Sequence, residues 1–254
     1  MLDIVLLGAG RLATNLGKTL VAHGHRVKAV YSRTLASAQT LAARLECPAT
    51  DSIGELPLDA DAFILSIKDD ALTDVIPQLA VGRQQQLMLH TAGSVDANIF
   101  APYAERYGVF YPMQTFSKER EVDFADIPIF VEGSDPIIQS LAESISHHVF
   151  TLSSADRKEL RLAAVFASNF VNHCYALAAD ILKRSDLPFS VMLPLIDETA
   201  RKVHHMHPLD AQTGPAVRYD DHIISMQAAL LDSKPTARAI YELMSESIHA
   251  CARR

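Results

Sequence analysis

Apolar positions along the 254-residue chain follow two different grammars. Up to about residue 151, short apolar runs at 4–7, 26–31, 62–67, 86–90, 109–111, 127–131 and 149–152 alternate with segments of helical period at 12–22, 35–45, 71–79, 97–106 and 136–146. Several runs are apolar at every position, so those strands are expected to be buried on both faces, as in a parallel sheet covered by helices on each side. From residue 154 onward no strand pattern remains. A helical period continues to about 184, with Ser154 or Asp156 as its cap, and further helices are predicted over 189–204, 221–231 and 236–252. In the first of these, Leu162, Val165, Phe166, Phe170, Tyr175, Leu177 and Ile181 are too many for one stripe. That helix is therefore expected to be buried on most of its circumference. The change of grammar divides the chain into an α/β domain over 1–152 and an all-helical domain over 153–254.

Composition narrows the partners. With 23 basic against 30 acidic residues the net charge is −7, and only 7% of residues are aromatic. A nucleic-acid groove needs a basic footprint, so a small-molecule partner is expected instead. Cys47, Cys174 and Cys251 lie far apart and form no C-x-x-C, which fits a reduced compartment without disulfides or structural zinc. Asp3 stands where a signal peptide carries basic residues, and the apolar stretch 162–171, broken by Ser168 and Asn169, is short for a bilayer span. A cytoplasmic location without a membrane partner is the expectation. The helical domain has more apolar positions than one layer buries, which predicts a homodimer.

Gly8-Ala9-Gly10-Arg11-Leu12-Ala13 fits G-x-G-x-x-G/A between a predicted strand and a predicted helix. The small residues permit a tight turn, close approach of backbone to a pyrophosphate and close helix packing, and the helix N-terminus supplies N–H donors. Such a turn can also merely pack a helix on a sheet; a second strand at the right distance favours a dinucleotide site. An NAD site usually carries an acid at the end of that second strand. Here the strand ends in Ser32-Arg33-Thr34, two hydroxyls and a cation suited to a 2′-phosphate, so the expected cofactor is NADP. Ser66-Ile67-Lys68-Asp69-Asp70 and His90-Thr91-Ala92-Gly93-Ser94 end two further strands and are expected at the same crevice. Thr91 and Gly93 would border the nicotinamide, and Lys68 would touch cofactor or substrate unless it is a plain surface lysine.

With these motifs in view, the chain resembles the 6-phosphogluconate dehydrogenase-like group that includes pyrroline-5-carboxylate reductase. More closely it resembles proteins that join a Rossmann-like domain to a DUF2520 domain. The likeness covers essentially the whole chain and is carried by the turn at 8–13, Tyr111-Pro112-Met113-Gln114-Thr115-Phe116-Ser117, the segment Ala163 to Phe170, and Ala211 to Arg218. It implies an α/β Rossmann domain with a mostly parallel sheet, an all-α C-terminal domain, and NADP-dependent oxidoreductase activity. It does not imply a substrate. Hydroxyacid dehydrogenases of the wider group place a catalytic lysine one turn before an asparagine; Val165 stands there in this chain. Related DUF2520 proteins often carry His where this chain has Tyr111 and Arg161, which leaves the proton donor open.

Candidate substrate groups follow from the residues. Gln114 and Thr115 lie in a loop without hydrophobic period, which either orients a polar substrate or simply connects elements. On the long helix Lys158, Arg161, Asn169 and Asn172 fall near one line, and a buried Asn169 would need a partner such as substrate or carboxamide, or another helix. Thr213-Gly214-Pro215 followed by Arg218 and Asp220 suits an anionic group, an inter-subunit contact, or an Arg218–Asp220 pair. His147-His148 and His204, His205 and His207 lack the spacing of a metal site, so no metal is expected. The reading is hydride transfer to or from a small anionic C=O or C=N substrate at the domain interface. The alternative is a non-catalytic NADP-binding sensor.

Overall fold

The structure is a computed structural model that describes residues 1–117, 120 and 122–252. Eight strands, β1 (Asp3–Leu7), β2 (Arg26–Tyr31), β3 (Ala49–Thr50), β4 (Ala62–Leu65), β5 (Leu87–His90), β6 (Arg106–Pro112), β7 (Ile129–Glu132) and β8 (Val149–Thr151), form one sheet in the order β3-β2-β1-β4-β5-β6-β7-β8. Neighbours are parallel except β6 and β7. The sheet is thus mostly parallel. The first three strands step outward from β1, and the chain then returns to place β4 on the other side of β1. A crevice opens where the order reverses, beyond the carboxyl ends of β1 and β4.

Strand alternation explains why these runs are apolar throughout. Ile4 and Leu6 face one cluster, with Ala13, Leu16 and Leu20 of α1 (Arg11–Ala22) and Leu41 of α2 (Leu35–Leu45). Val5 and Leu7 face the other, with Leu72, Ile76 and Leu79 of α3 (Leu72–Ala80). All of these are at most 3% exposed. Each such side chain contributes about 1.5–3 kcal/mol relative to an exposed one. Next along the chain are α4 (Pro136–Glu143), α5 (Ser154–Ala164), a single π-helical turn at Val165–Phe170, α6 (Val171–Leu182), α7 (Leu193–Lys202), the one-turn helices α8 (Pro208–Ala211) and α9 (Pro215–Arg218), α10 (Asp221–Ala229) and α11 (Pro235–Ala252).

The structure departs from the predicted elements at several places. The helix predicted over 97–106 is one short turn, Ala97–Phe100, because Arg106 already pairs in β6 beside Leu87. The two-residue strand β3, and α8 and α9, are too short to show a period. The cap of α5 is Ser153, whose hydroxyl accepts from the Asp156 N–H at 3.2 Å. Ser154 has a different task, described below.

The chain forms two compact units, Met1–Ser168 and Asn169–Arg254. In the second, the buried described residues are Ala216, Ala228, Leu231 and Ser245. The long helix is not buried on most of its circumference: Leu162 is 60% exposed and Phe166 62%. The stretch 162–171 is also not where its apolar character stops. The helical run Ser154–Ser185 spans 32 residues, has an 18-residue window of mean hydropathy 1.3, none of it buried, and is long and apolar enough by those two measures to cross a membrane.

Candidate functional site

Beyond β1 the chain turns at Gly8, whose φ of +118° and close approach to the Ser66 carbonyl exclude a side chain. Gly10 then caps α1 with no side-chain hydrogen bond, and the first turn of α1 carries no acid. The N–H groups of that turn are left to an anion. A Cβ on Gly10 would meet nothing within 4 Å, so the turn presents bare backbone to the crevice. Ala13 lies fully buried beneath it, packing α1 on the sheet. At the end of β2 the first turn of α2 is likewise free of acid, and its cap Thr34 makes no side-chain cap bond.

These ends converge on a crevice of about 860 Å³, within the range of a ligand site. Of the residues singled out in the sequence, Gly8, Gly10, Arg11, Leu12, Ser32, Arg33, Thr34, Ser66, Ile67, Lys68 and Thr91 line it. Ala13 and Gly93 do not. Asp69 and Asp70, read as part of the same strand end, also line it; Ser37 and Asp74 line it too and were not singled out in the sequence. Ser37 lies in the first turn of α2, a signal available from helix period; the acids follow β4, together with Lys68, while Arg11 and Arg33 follow β1 and β2. The crevice therefore has a cationic end at the two helix N-termini, where phosphates belong. Its residues fit a dinucleotide: open backbone at Gly10, unengaged donors on two helices, and hydroxyls with an arginine where a 2′-phosphate would sit.

The family described as a Rossmann-like domain matches residues 1–113, and that described as a domain of unknown function, DUF2520, matches 127–248. A Bacteroides fragilis protein, provisionally described as an NADP oxidoreductase, is 49% identical over 98% of both chains, with a TM-score of 0.93. The chain belongs to the Rossmann-like plus DUF2520 family. A Thermotoga maritima protein (21% identity, 99% of this chain and 100% of that one, TM-score 0.83) and an imine reductase from Myxococcus stipitatus in complex with NADP+ (15%, 99% and 94%, 0.72) share the fold. No protein of curated function matches the sequence.

In this family member the loop beyond β5 is held by a buried polar cluster. Arg157 of α5, 1% exposed, donates to the Glu132 carboxylate, to the Val95 carbonyl and to the Ser154 hydroxyl. Ser154 gives its N–H and hydroxyl to Glu132, and its oxygen accepts the Ala97 N–H at 3.0 Å. The first turn of α5 is thereby tied to β7 and to the loop that follows Thr91. Beneath that loop His90 is fully buried and stacked on Phe100, with Nδ1 accepting the Ala92 N–H. Burial first, and the Arg157 charge second, push the His90 pKa down to about 4.

A pH dependence follows. Between pH 6.5 and about 4 the unfolded chain takes a proton on this histidine that the fold refuses, so stability is full above 6.5 and falls as pH drops through that window. The loss approaches about 3 kcal/mol. Burial lowers His25 in the same direction, so the comparison of wild type with His90→Asn isolates the effect. Urea unfolding at pH 7.5 and 4.5 should show a larger difference in wild type than in the variant; equal differences would remove His90 from the account.

Gln114, Asn169 and Arg218 do not line this crevice. Gln114 is exposed and its Oε1 accepts the Thr115 N–H at 2.8 Å, while the end of its loop is anchored where Asn15 donates to the Ser117 carbonyl at 2.9 Å. Asn169 is exposed, contrary to the expectation of a buried amide, because the long helix is not covered in the single chain. Arg218 is exposed and does not pair with Asp220, whose carboxylate caps α10 through the Ile223 N–H. His207 caps α8 through Leu209, and among the described residues no group of three metal-ligating side chains converges.

Proposed function

We propose that the protein is an NADP-dependent oxidoreductase acting on a small anionic substrate with a reducible C=O or C=N carbon. The observation that carries the cofactor is the end of β2, where Ser32, Arg33 and Thr34 line the crevice and the three residues include no acid. When bound, the nicotinamide supplies or accepts a hydride. The chain holds the pyrophosphate on the backbone of 8–12, holds the 2′-phosphate at Arg33, and screens the reacting carbon from water. Lys68, Gln114, Asn169 and Arg218 are the assigned substrate-holding groups; the side chains of Lys68, Asn169 and Arg218 are exposed and make no hydrogen bond or ion pair among the described residues. Residues 1–152 serve as the cofactor domain and 153–254 as the substrate and dimerisation domain.

Arg33→Ala should weaken NADPH binding by about 1.5–3 kcal/mol, the worth of a hydrogen bond to a charged group, and leave NADH nearly unchanged. Titration of both cofactors by fluorescence tests this. Equal losses would overturn the 2′-phosphate assignment.

We infer a cytoplasmic homodimer, and the exposed apolar side chains on the helices support the second copy. Leu162, Phe166, Val191, Leu195 and Leu243 are between 46% and 68% exposed, on several helices rather than one continuous span. Ion pairs Lys183–Asp180 and Arg201–Glu198 lie at the end of the long helical run and on α7, and exposed charge of that kind suits a second copy better than a bilayer. Sedimentation velocity at micromolar concentration should give twice the chain mass; a monomer would refute it.

A further inference from the structure

We propose that Tyr111 and Arg161 form the substrate end of the crevice, with Arg161 holding a carboxylate and Tyr111 giving a proton to the neighbouring carbonyl oxygen or imine nitrogen. The substrate class is then a 2-oxo or 2-imino carboxylate. This rests on the dinucleotide reading of the crevice and adds the two side chains that finish it.

Thr91 and Ala92 line the crevice, and Gly93 follows them. A Cβ built on Gly93 would lie 3.0 Å from Tyr111 Cζ, the carbon that carries the hydroxyl, and 3.1 Å from Arg161 Cδ. The phenol and the guanidinium stem therefore flank one point, one residue beyond the cofactor-lining backbone. A side chain there would press on both, so each would have to give by a few tenths of an ångström. Tyr111 is 7% exposed and its ring packs against Phe130 with centroids 6.4 Å apart, yet its hydroxyl has no partner among the described residues. Arg161 is exposed and its guanidinium makes no ion pair or hydrogen bond among them.

The contrast with Arg157 is informative. One helical turn earlier on the same face of α5, Arg157 spends its guanidinium on Glu132, Val95 and Ser154. That anchor fixes the helix, and the next arginine on the face is left unengaged beside the glycine. A cation and a phenol that flank one point match a carboxylate adjacent to a polar double bond, since arginine grips carboxylates in a fork and a phenol donates one proton. In the reducing direction the carbonyl carbon gains a hydride from reduced nicotinamide dinucleotide, the π pair moves to oxygen, and that oxygen takes the Tyr111 proton. The phenolate left behind faces Arg161 and is reprotonated by water.

The test uses oxamate, a non-reducible mimic of a 2-oxo carboxylate, titrated calorimetrically into the NADPH-saturated protein. Arg161→Gln should weaken oxamate at least tenfold and Arg161→Lys by less, both with NADPH affinity changed less than twofold. Tyr111→Phe should leave oxamate within about threefold but lower kcat on a panel of 2-oxo acids by about a hundredfold. Wild type that binds NADPH but not oxamate, or Arg161→Gln that binds oxamate normally, overturns the anion assignment. Parallel loss of NADPH in Arg161→Gln makes the residue part of the cofactor site and overturns it equally. An unchanged kcat in Tyr111→Phe overturns the proton donor. If wild type binds no NADPH, the dinucleotide reading itself fails, and this inference with it.

Discussion

Glu132→Leu is expected to lower the unfolding free energy by about 3–5 kcal/mol, because it strands a fully buried guanidinium without its counter-charge. Arg157 is 1% exposed, and Glu132 is the carboxylate it meets; Glu132 also accepts from both the N–H and the hydroxyl of Ser154. An apolar replacement of both partners removes the stranded charge. The double variant Glu132→Leu/Arg157→Leu should therefore be more stable than Glu132→Leu, recovering more than half of the loss. Denaturant unfolding of the wild type, both single variants and the double variant closes the cycle. A double variant whose loss equals the sum of the single losses would mean that the pair is not energetically coupled. The same cluster holds the loop after β5, so Glu132→Leu should also weaken NADPH more than a surface substitution of equal stability.

Gly10→Val should abolish NADPH binding while the fold survives, a loss of at least about 3 kcal/mol or a hundredfold in Kd. Its φ of −76° is open to any residue, and a Cβ there meets no protein atom within 4 Å. The branched side chain enters the space a pyrophosphate needs and covers the N–H groups that would bind it. Gly8 is the opposite case. With φ +118° and a Cβ only 2.1 Å from the Ser66 carbonyl oxygen, Gly8→Ala should fail in the fold itself. Circular dichroism melts and cofactor titration separate the two. A folded Gly10→Val that binds NADPH normally would refute the site; a Gly8→Ala that melts like wild type would refute the strain.

How much of this was legible in the chain can be followed residue by residue. β1, β2 and α2 are long enough to show their period, and α2 occupies the span predicted for it. β3 has two residues and no period to show. The segment 97–106 has helical spacing, but its last residue, Arg106, pairs with Leu87 of β5, and tertiary hydrogen bonding overrides a weak local preference. Ser154 reads locally as a cap. Its hydroxyl instead accepts from Ala97, 57 residues away, while Ser153 caps the helix.

By itself the sequence determined the alternation of strands and helices, the bare backbone of the turn at Gly10, and a strand end with a cation instead of an acid. Each is a local matter of side-chain period, backbone freedom or charge, written in adjacent residues. Tertiary structure alone decided which groups meet across the chain: Glu132 with Arg157, His90 sealed beneath its loop, and Tyr111 and Arg161 both against Gly93. Those pairings are set by strand order and by the anchoring of α5. They depend on contacts between residues dozens of positions apart, for which periodicity carries no signal. Exposure of the long helix belongs to the same class, because an apolar face reads alike in sequence whether its own fold covers it or a second copy does.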